Sequence, residues 1–425
     1  MRKGRVGGDG PDGAGATALS DRDRMDSLPT RLRPQPLEVA CGLAIGGDPD
    51  ASPLVISRSV GPRAALEGVV RHALARPPCL VSFSGGRDSS VVLALATRVA
   101  RREGLAPPVP ATYRFAGAAG SREDDWQERV IGHLGIPDWE RITLSGELDS
   151  VGPVAQAVLR RHGLLWPFNA HFHVPVLERA AGGSLLTGIG GDELFGSQVW
   201  SAARAVLSGR RLLRARRSLA VGAALAPLPM RRWALARRHQ VRWPWLRPAV
   251  DAQINRTLAD WDARTPVSWH RGVAWWWRSR YRSVLAASMG ALAADARTHL
   301  VNPFLEPSVV GAVARRFGAR GPTDRSRAMQ VLFADLLPDE VLARRSKAHF
   351  DQAFFGDHSR AFVSAWSGGD VDTSLVDPDR LAQQWRSEDP DPRSFLLLQS
   401  VWWAALNSEP KGRTDDRRGG GRRTP

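Results

Sequence analysis

Short apolar runs alternate with longer segments whose apolar positions recur at helical spacing, and this alternation organises the first half of the chain. Leu80 to Phe83 has the composition of a buried strand, and the apolar face over Ser89 to Ala100 predicts the helix that follows it. Ala111 to Phe115 predicts a second strand. Glu123 to Leu134 predicts a helix with acidic residues in its first turn, where the helix dipole favours them, and Gly135 stops it. Trp139 to Leu144 reads as a third strand, residues 153–162 as a helix, and Ser184 to Thr187 as a fourth, buried strand. Pro62 to Ala75 predicts a helix leading into the first strand, and Leu37 to Ser57 holds two short apolar stretches around a Gly-Gly-Asp-Pro-Asp turn, a hairpin-like pattern. The alternation predicts an α/β fold, a parallel sheet with helices on both faces. After it comes a mainly helical C-terminal part, with one long helix over Ala274 to Ala296 and a last one within Leu381 to Leu406.

Composition sharpens the boundaries. With 425 residues, 43% of them hydrophobic, the chain has material for a sizeable core. Residues 1–35 and 408–425 read as disordered tails, 36–60 as a short leading segment, and 61–407 as the folded domain. Cys41 and Cys79, without a CxxC or a Cys/His cluster, give neither a disulfide framework nor a zinc site. The longest apolar run, Leu219 to Met230, is broken by two prolines, which leaves no spanning segment or signal peptide and predicts a cytoplasmic location. The net charge of +16 is concentrated: residues 194–250 carry 12 arginines and no acid. The chain is therefore a near-neutral body with one basic insert, a pattern that weakens a whole-protein nucleic-acid reading, and no specific nucleic-acid partner is expected. The insert holds RRLLRARR at 210–217 and RRWALARR at 231–238, with Trp233, Trp243 and Trp245 interleaved. It reads as helices with solvated arginine faces, as a docking surface for an acidic carrier or peptide, or as a membrane-facing surface. Only three lysines occur, and Lys347 is the one outside the tails.

Between the first strand and its helix lies Ser84-Gly85-Gly86-Arg87-Asp88-Ser89-Ser90. The glycines allow a sharp turn and close approach to a ligand, and the hydroxyls of Ser84, Ser89 and Ser90 stand beside the free N–H groups of a helix N-terminus, which makes an anion cradle. The spacing is neither GxxxxGK[ST] nor GxGxxG. Asp88 would repel an anion unless Mg²⁺ sat between them, so the loop is read as holding a polyphosphate with its metal. A second glycine-rich loop, GSLLTGIGGDELFG at 183–196, carries Gly188, Gly190 and Gly191 ahead of Asp192 and Glu193. Ligands of open α/β sheets bind at the carboxyl ends of the strands, which puts both loops on one edge and lets Asp88 and Asp192 share Mg²⁺. The plainer alternative for each loop is a strand-to-helix turn capped by Ser or Asp.

SGGRDSS followed about a hundred residues later by GIGGDELFG resembles the synthetase domain of asparagine synthetases and their relatives, the β-lactam synthetases and lasso-peptide macrolactam synthetases, over roughly residues 60–405. The resemblance implies an adenine nucleotide alpha-hydrolase-like, PP-loop fold. It also implies ATP cleavage between the α and β phosphates, adenylation of a carboxylate, and displacement of AMP by an amine. Arg297 to Pro307 is similar to the family's helix-ending PFLD-like turn, with Glu306 for the usual Asp. Asp324 to Phe350 resembles its K-x-x-LR…LP…R-x-K-x-x-F region, in which Lys347 falls on the phosphate-contacting lysine, Arg325 stands where the first lysine is usual, and His349 replaces Gly. Ile189 occupies the position of a Glu in asparagine synthetases and a Tyr in β-lactam synthetases. An N-terminal glutaminase would need a cysteine directly after Met1, where Arg2 stands, and well over a hundred further residues, so none is expected.

These features together predict an ATP-dependent, AMP- and pyrophosphate-forming amide synthetase, asparagine-synthase-like, of the type used in asparagine biosynthesis. A natural-product or lasso-peptide macrolactam synthetase is the alternative, and a non-catalytic nucleotide-binding scaffold a second one. In the predicted site, Ser84 to Ser90 hold pyrophosphate with Gly188, Gly190 and Gly191 alongside. Tyr113 to Phe115 meet adenine, Asp88 and Asp192 hold Mg²⁺, and Lys347 stabilises the adenylation transition state. The expected partners are a carboxylate and an amine, the latter free ammonia, ammonia from a separate amidotransferase, or an amino group on a peptide or natural-product intermediate.

Overall fold

Five short strands lie parallel in one sheet in the order β3-β2-β1-β4-β5, with β1 Cys79–Ser82, β2 Val109–Phe115, β3 Glu140–Leu144, β4 Ser184–Leu186 and β5 His299–Val301. The computed structural model describes residues 28–56, 60–115, 124–196, 198–210, 215–344 and 351–408, without the side chains of 215–217, 351–352 and 408. Leu80 pairs with Val109 on one side and with Leu185 on the other, so β1 is the central strand. Alternate residues of each strand face opposite layers. Leu80, Ile142 and Leu185 enter a core with Trp245, Leu292 and Phe395, while Val81, Phe83, Leu186 and Val301 enter another with Leu66, Val92 and Phe333. Burial on both faces explains why β1 and β4 read as apolar runs, and the parallel sheet matches the predicted α/β arrangement. Because the chain leaves β1 for β2 on one side and reaches β4 on the other, the carboxyl ends of β1 and β4 bracket the switch point of the sheet, where ligands of open α/β folds bind.

Three local expectations are corrected. β5 has no counterpart in the predicted elements: its three residues, of which only Val301 is buried, lie within the stretch read as a helix-ending turn. The single helix over 274–296 is two, Trp269–Trp276 and Arg280–Asp295, with Ser279 capping the second through the Arg282 N–H at 3.4 Å. The hairpin-like segment is what holds that break open. Pro36–Cys41 is a helix with a Gln35/Glu38 capping box and Gly42 at φ 70°, and beyond it Asp48 N–H donates to the Arg278 carbonyl (2.8 Å) while Arg280 N–H donates to Gly46 (3.0 Å). A Cβ on Gly47 would lie 2.6 Å from the Trp261 ring, so this contact requires glycine.

The basic insert forms helices Ser201–Leu207, Ala215–Leu225 and Leu228–Arg238, packed with Pro248–Arg264 around a small core of Trp200, Ala203, Ala224, Leu235, Ala259 and Ala263. Trp243 and Trp245 do not belong to its surface. Both are buried in the main core, their ring N–H groups donating to the carbonyls of Cys41 (3.0 Å) and Ala40 (2.8 Å). Cys41 and Cys79 are unbridged and buried, and burial raises their thiols to about 12 and about 11. No helix among the described residues is long and apolar enough to cross a membrane.

Candidate active site

The chain leaves β1 through Phe83, whose N–H continues the pairing with β2 by donating to Ala111 (2.8 Å), and turns at Gly85 with φ 81°. The helix Arg87–Glu103 then starts with Gly86 as its N-cap, without a capping side chain. Ser84 and Ser89 brace the turn: the Ser84 hydroxyl accepts from Gly86 N–H (3.2 Å), and the Ser89 hydroxyl donates to the Gly86 carbonyl (3.1 Å). Ser90 is fully buried, its hydroxyl without a partner. Two donors from elsewhere engage the loop's carbonyls. Gln127 Nε2 donates to Ser84 O (3.1 Å), and the buried Arg344, stacked 4.8 Å over Trp126, donates Nη1 to Gly85 O (2.9 Å). An anion cradle has to offer N–H groups, and these donors occupy the competing carbonyls while the first-turn N–H groups of the helix stay open to a ligand.

The loop after β4 reaches the same point from the neighbouring strand. Thr187 continues the sheet by donating its N–H to Val301 (3.1 Å), and its hydroxyl bonds Asn302 Oδ1 (2.5 Å) and accepts Ile189 N–H (3.2 Å). Gly190, at φ 93°, caps the short helix Gly191–Phe195. A Cβ would fall 2.4 Å from Asp88 Cγ if placed on Gly191, 2.8 Å from Ser89 N on Gly188, and 2.6 Å from Leu305 Cδ2 on Gly190. These glycines therefore let the two loops touch. The turn Pro303–Leu305 supports the second loop from behind, and Glu306 caps the following helix Pro307–Phe317 with its carbonyl accepting from Val310 N–H (2.9 Å).

Asp88 and Asp192 converge on one cation. The Arg325 guanidinium donates Nη2 to Asp88 Oδ2 and Nη1 to Asp192 Oδ1. Burial pushes the Asp88 carboxyl above its ordinary value; Arg325 pulls the other way, and Asp192 adds to the rise. Burial also works against the Arg325 charge, but the two carboxylates outweigh it and its pKa rises. Asp88 Oδ1 is buried with no hydrogen-bond partner. Glu193 is turned away from the pair and accepts from the Tyr281 hydroxyl. A divalent cation fits here on chemical grounds, because two carboxylates share one positive charge and one oxygen of Asp88 is buried without a partner. Among the described residues no cluster of three His, Cys, Asp or Glu side chains exists, so such an ion would complete its shell with phosphate oxygens and water, as Mg²⁺ does in nucleotide sites.

The remaining predicted residues divide. Tyr113 sits at the end of β2, but its hydroxyl is committed to the scaffold, donating to Phe172 O (2.7 Å) and accepting Val176 N–H (3.2 Å), which leaves only the ring to meet a ligand. Ile189 is partly buried against the core. Lys347 and His349 lie outside the described residues. Gln127, Arg344 and the bridging role of Arg325 were not anticipated; each acts on a loop far away in the chain, 43 residues for Gln127 and 259 for Arg344, and no periodicity marks such a contact. The family model for asparagine synthase matches residues 62–405. No curated protein matches the chain.

Proposed function

The chain belongs to the asparagine synthase family, and from that premise we propose that it is an ATP-dependent amide synthetase that adenylates a carboxylate and transfers the acyl group to an amine, releasing pyrophosphate and then AMP. The observation that carries this reading is the convergence of Asp88 and Asp192, from adjacent parallel strands, beside the free first turn of the helix Arg87–Glu103.

In this reading the N–H groups at the start of that helix, with the turn of Ser84 to Gly86, hold the β and γ phosphates. Asp88 and Asp192 hold Mg²⁺, which when bound neutralises phosphate charge and favours loss of pyrophosphate. Arg325, which bridges the two carboxylates, would supply a positive charge to the phosphates beside them. A substrate carboxylate oxygen attacks the α phosphorus, and the bond to the bridging oxygen breaks with pyrophosphate as leaving group. Lys347, three residues beyond Arg344, supplies the compact ammonium that stabilises the charge developing in that step. The amine nitrogen then attacks the acyl carbon, AMP departs, and the nitrogen loses a proton. Most of the acceleration comes from positioning and charge neutralisation.

Ile189 has no proton to accept or give, so the amine has to enter as its free base or bring its own proton acceptor. That residue favours a second reading within the same chemistry, an amine carried on a peptide or natural-product intermediate in place of ammonia. The test is release of AMP and pyrophosphate from ATP, followed with aspartate and ammonia and, separately, with peptides bearing an internal carboxylate and a free amine. Release with a carboxylate present is expected. ATP binding without release under any of these conditions would leave only a nucleotide-binding scaffold.

A further inference from the structure

Among the described residues the helices of the basic insert, from Ser201 on, contribute no side chain to the site, yet their surface departs from that of the rest of the molecule. Nine large apolar side chains are exposed among the described residues, and five of them, Leu207, Leu219, Leu225, Met230 and Trp233, fall within 27 consecutive positions. Leu219 is 76% exposed and Trp233 59%, values at which a side chain protrudes from the surface instead of lining a groove. The helices Ala215–Leu225 and Leu228–Arg238 form a hairpin joined at Ala226 and Pro227, and each turns one face inward, burying Ala224 and Leu235 in the small core. Met230, Trp233 and Arg237 stand outward on the second helix with the spacing of one helical stripe, and Leu219 and Leu225, six residues apart on the first, are exposed as well.

The arginines sort by the same two faces. Arg204 is buried and donates to Val267 O (3.2 Å), Arg231 lies over Trp200 and donates to Thr265 O, and Arg232 pairs with Asp260. Arg237 and Arg238 are exposed, Arg237 lying 3.9 Å over the Trp233 ring. No acid occurs anywhere in residues 194–250.

We infer that the outward face of this hairpin docks on an anionic lipid bilayer, with Leu219, Leu225, Met230 and Trp233 entering the headgroup boundary and Arg237 and Arg238 meeting lipid phosphates. Interfacial helices combine leucine and tryptophan on one side with basic residues at the rim in this way. Charge decides among the occupants. A bilayer rich in anionic lipid is negative throughout, so every acid on the docking element is penalised, whereas a folded protein partner of mixed charge would make some acids useful; the insert has none. A second copy of the chain would bring an equally basic face and repel it. Nucleic acid would use the arginines but gain nothing from Leu219, Leu225 and Met230. This inference stands apart from the reading of the active site.

The full chain is centrifuged with vesicles of phosphatidylcholine alone and of phosphatidylcholine with about a third phosphatidylglycerol. Binding is expected only to the anionic vesicles and to weaken as salt is raised. Leu219→Ser, Leu225→Ser, Met230→Ser and Trp233→Ser combined should abolish it, and Arg237→Gln with Arg238→Gln should weaken it about 25-fold, at about fivefold per arginine. All six positions are exposed, so circular dichroism and ATP–pyrophosphate exchange should match those of the unsubstituted chain. Equal binding to both vesicle types, or undiminished binding by the serine variant, would overturn the proposal. So would tighter binding of an acidic amphipathic peptide that leaves anionic vesicles unbound, which would assign the face to a protein partner.

Discussion

The loops after β1 and β4 meet at one guanidinium and are built in opposite ways. The first fronts a 17-residue helix, has its carbonyls held by Gln127 and Arg344, and places Asp88 with a side chain only 16% exposed. The second fronts a five-residue helix, rests on Asn302 and Leu305, and leaves the Asp192 side chain half exposed. A long helix delivers a full dipole and a rigid row of N–H groups, and a single turn delivers neither. The β1 loop is thus the fixed wall of the site. The β4 loop is the thin one, kept free of side chains at Gly188 and Gly191 because Asp88 and Ser89 already occupy the space. The comparison teaches that one carboxylate is set by the scaffold and the other is brought to it.

The most severe way to break this pairing is to remove either carboxylate charge. Asp88→Asn and Asp192→Asn should each lower ATP–pyrophosphate exchange by about 10³-fold, with the fold retained by circular dichroism, because a metal held by two unlike arms needs both. Exchange that survives in the Asp192 variant while vanishing in the Asp88 variant would show that the exposed arm holds no metal. Next in size is Lys347→Arg. In a chain that uses arginine almost everywhere, a lone lysine in the body points to a place where a planar guanidinium does not fit. Turnover should fall by about 10² while ATP affinity is largely kept; unaltered turnover would make Lys347 incidental.

The two loops and the strands they follow are legible in the sequence, the difference between them is not, and the reasons are physical. Both motifs lie where the fold places them because a buried parallel strand that runs into glycines has a local signature, and β1 and β4 carry it. β5 does not: the edge strand His299–Val301 is buried only at Val301 and runs into Asn302 and Pro303 with no glycine after it. The break at Ser279 depends on Gly46 and Asp48, more than 230 residues earlier, and Trp243 and Trp245 looked like surface aromatics because the carbonyls that receive their N–H groups lie some 200 residues away. The chemistry of each loop is written locally, but the residues that hold it rigid are not.

Arg344 tests that last point on the β1 side. Arg344→Met keeps an apolar stem over Trp126 and removes the donor to Gly85, freeing a carbonyl at the edge of the cradle. The KM for ATP should rise about tenfold, the scale of one hydrogen bond from a charged donor, with a smaller change in kcat. The matching change on the β4 side, Thr187→Val, cuts a neutral bond to Asn302 and should cost less, about fivefold. If the two variants were equal, the distinction between fixed and thin walls would be lost.

The smallest effect concerns stability and isolates what the fixed wall does to its carboxylate. Because burial raises the Asp88 pKa in the folded chain, its contribution to stability is fully present below the unfolded value of 3.8 and is lost as pH rises through the folded value. Asn at this position imitates the protonated form and does not titrate. Without nucleotide or metal, the melting temperatures of the parent and of Asp88→Asn should therefore lie closest at the acid end, and the variant should gain on the parent as pH rises toward neutrality. Other carboxylates slope the other way: Glu67 and Glu103, held by arginines, have lowered pKa values and favour the fold at higher pH. Their contribution is common to both proteins and cancels in the difference between the two curves. A difference that stays flat with pH would mean that Arg325 fully compensates the burial of Asp88, and that the two arms hold their charges equally well despite their unlike construction.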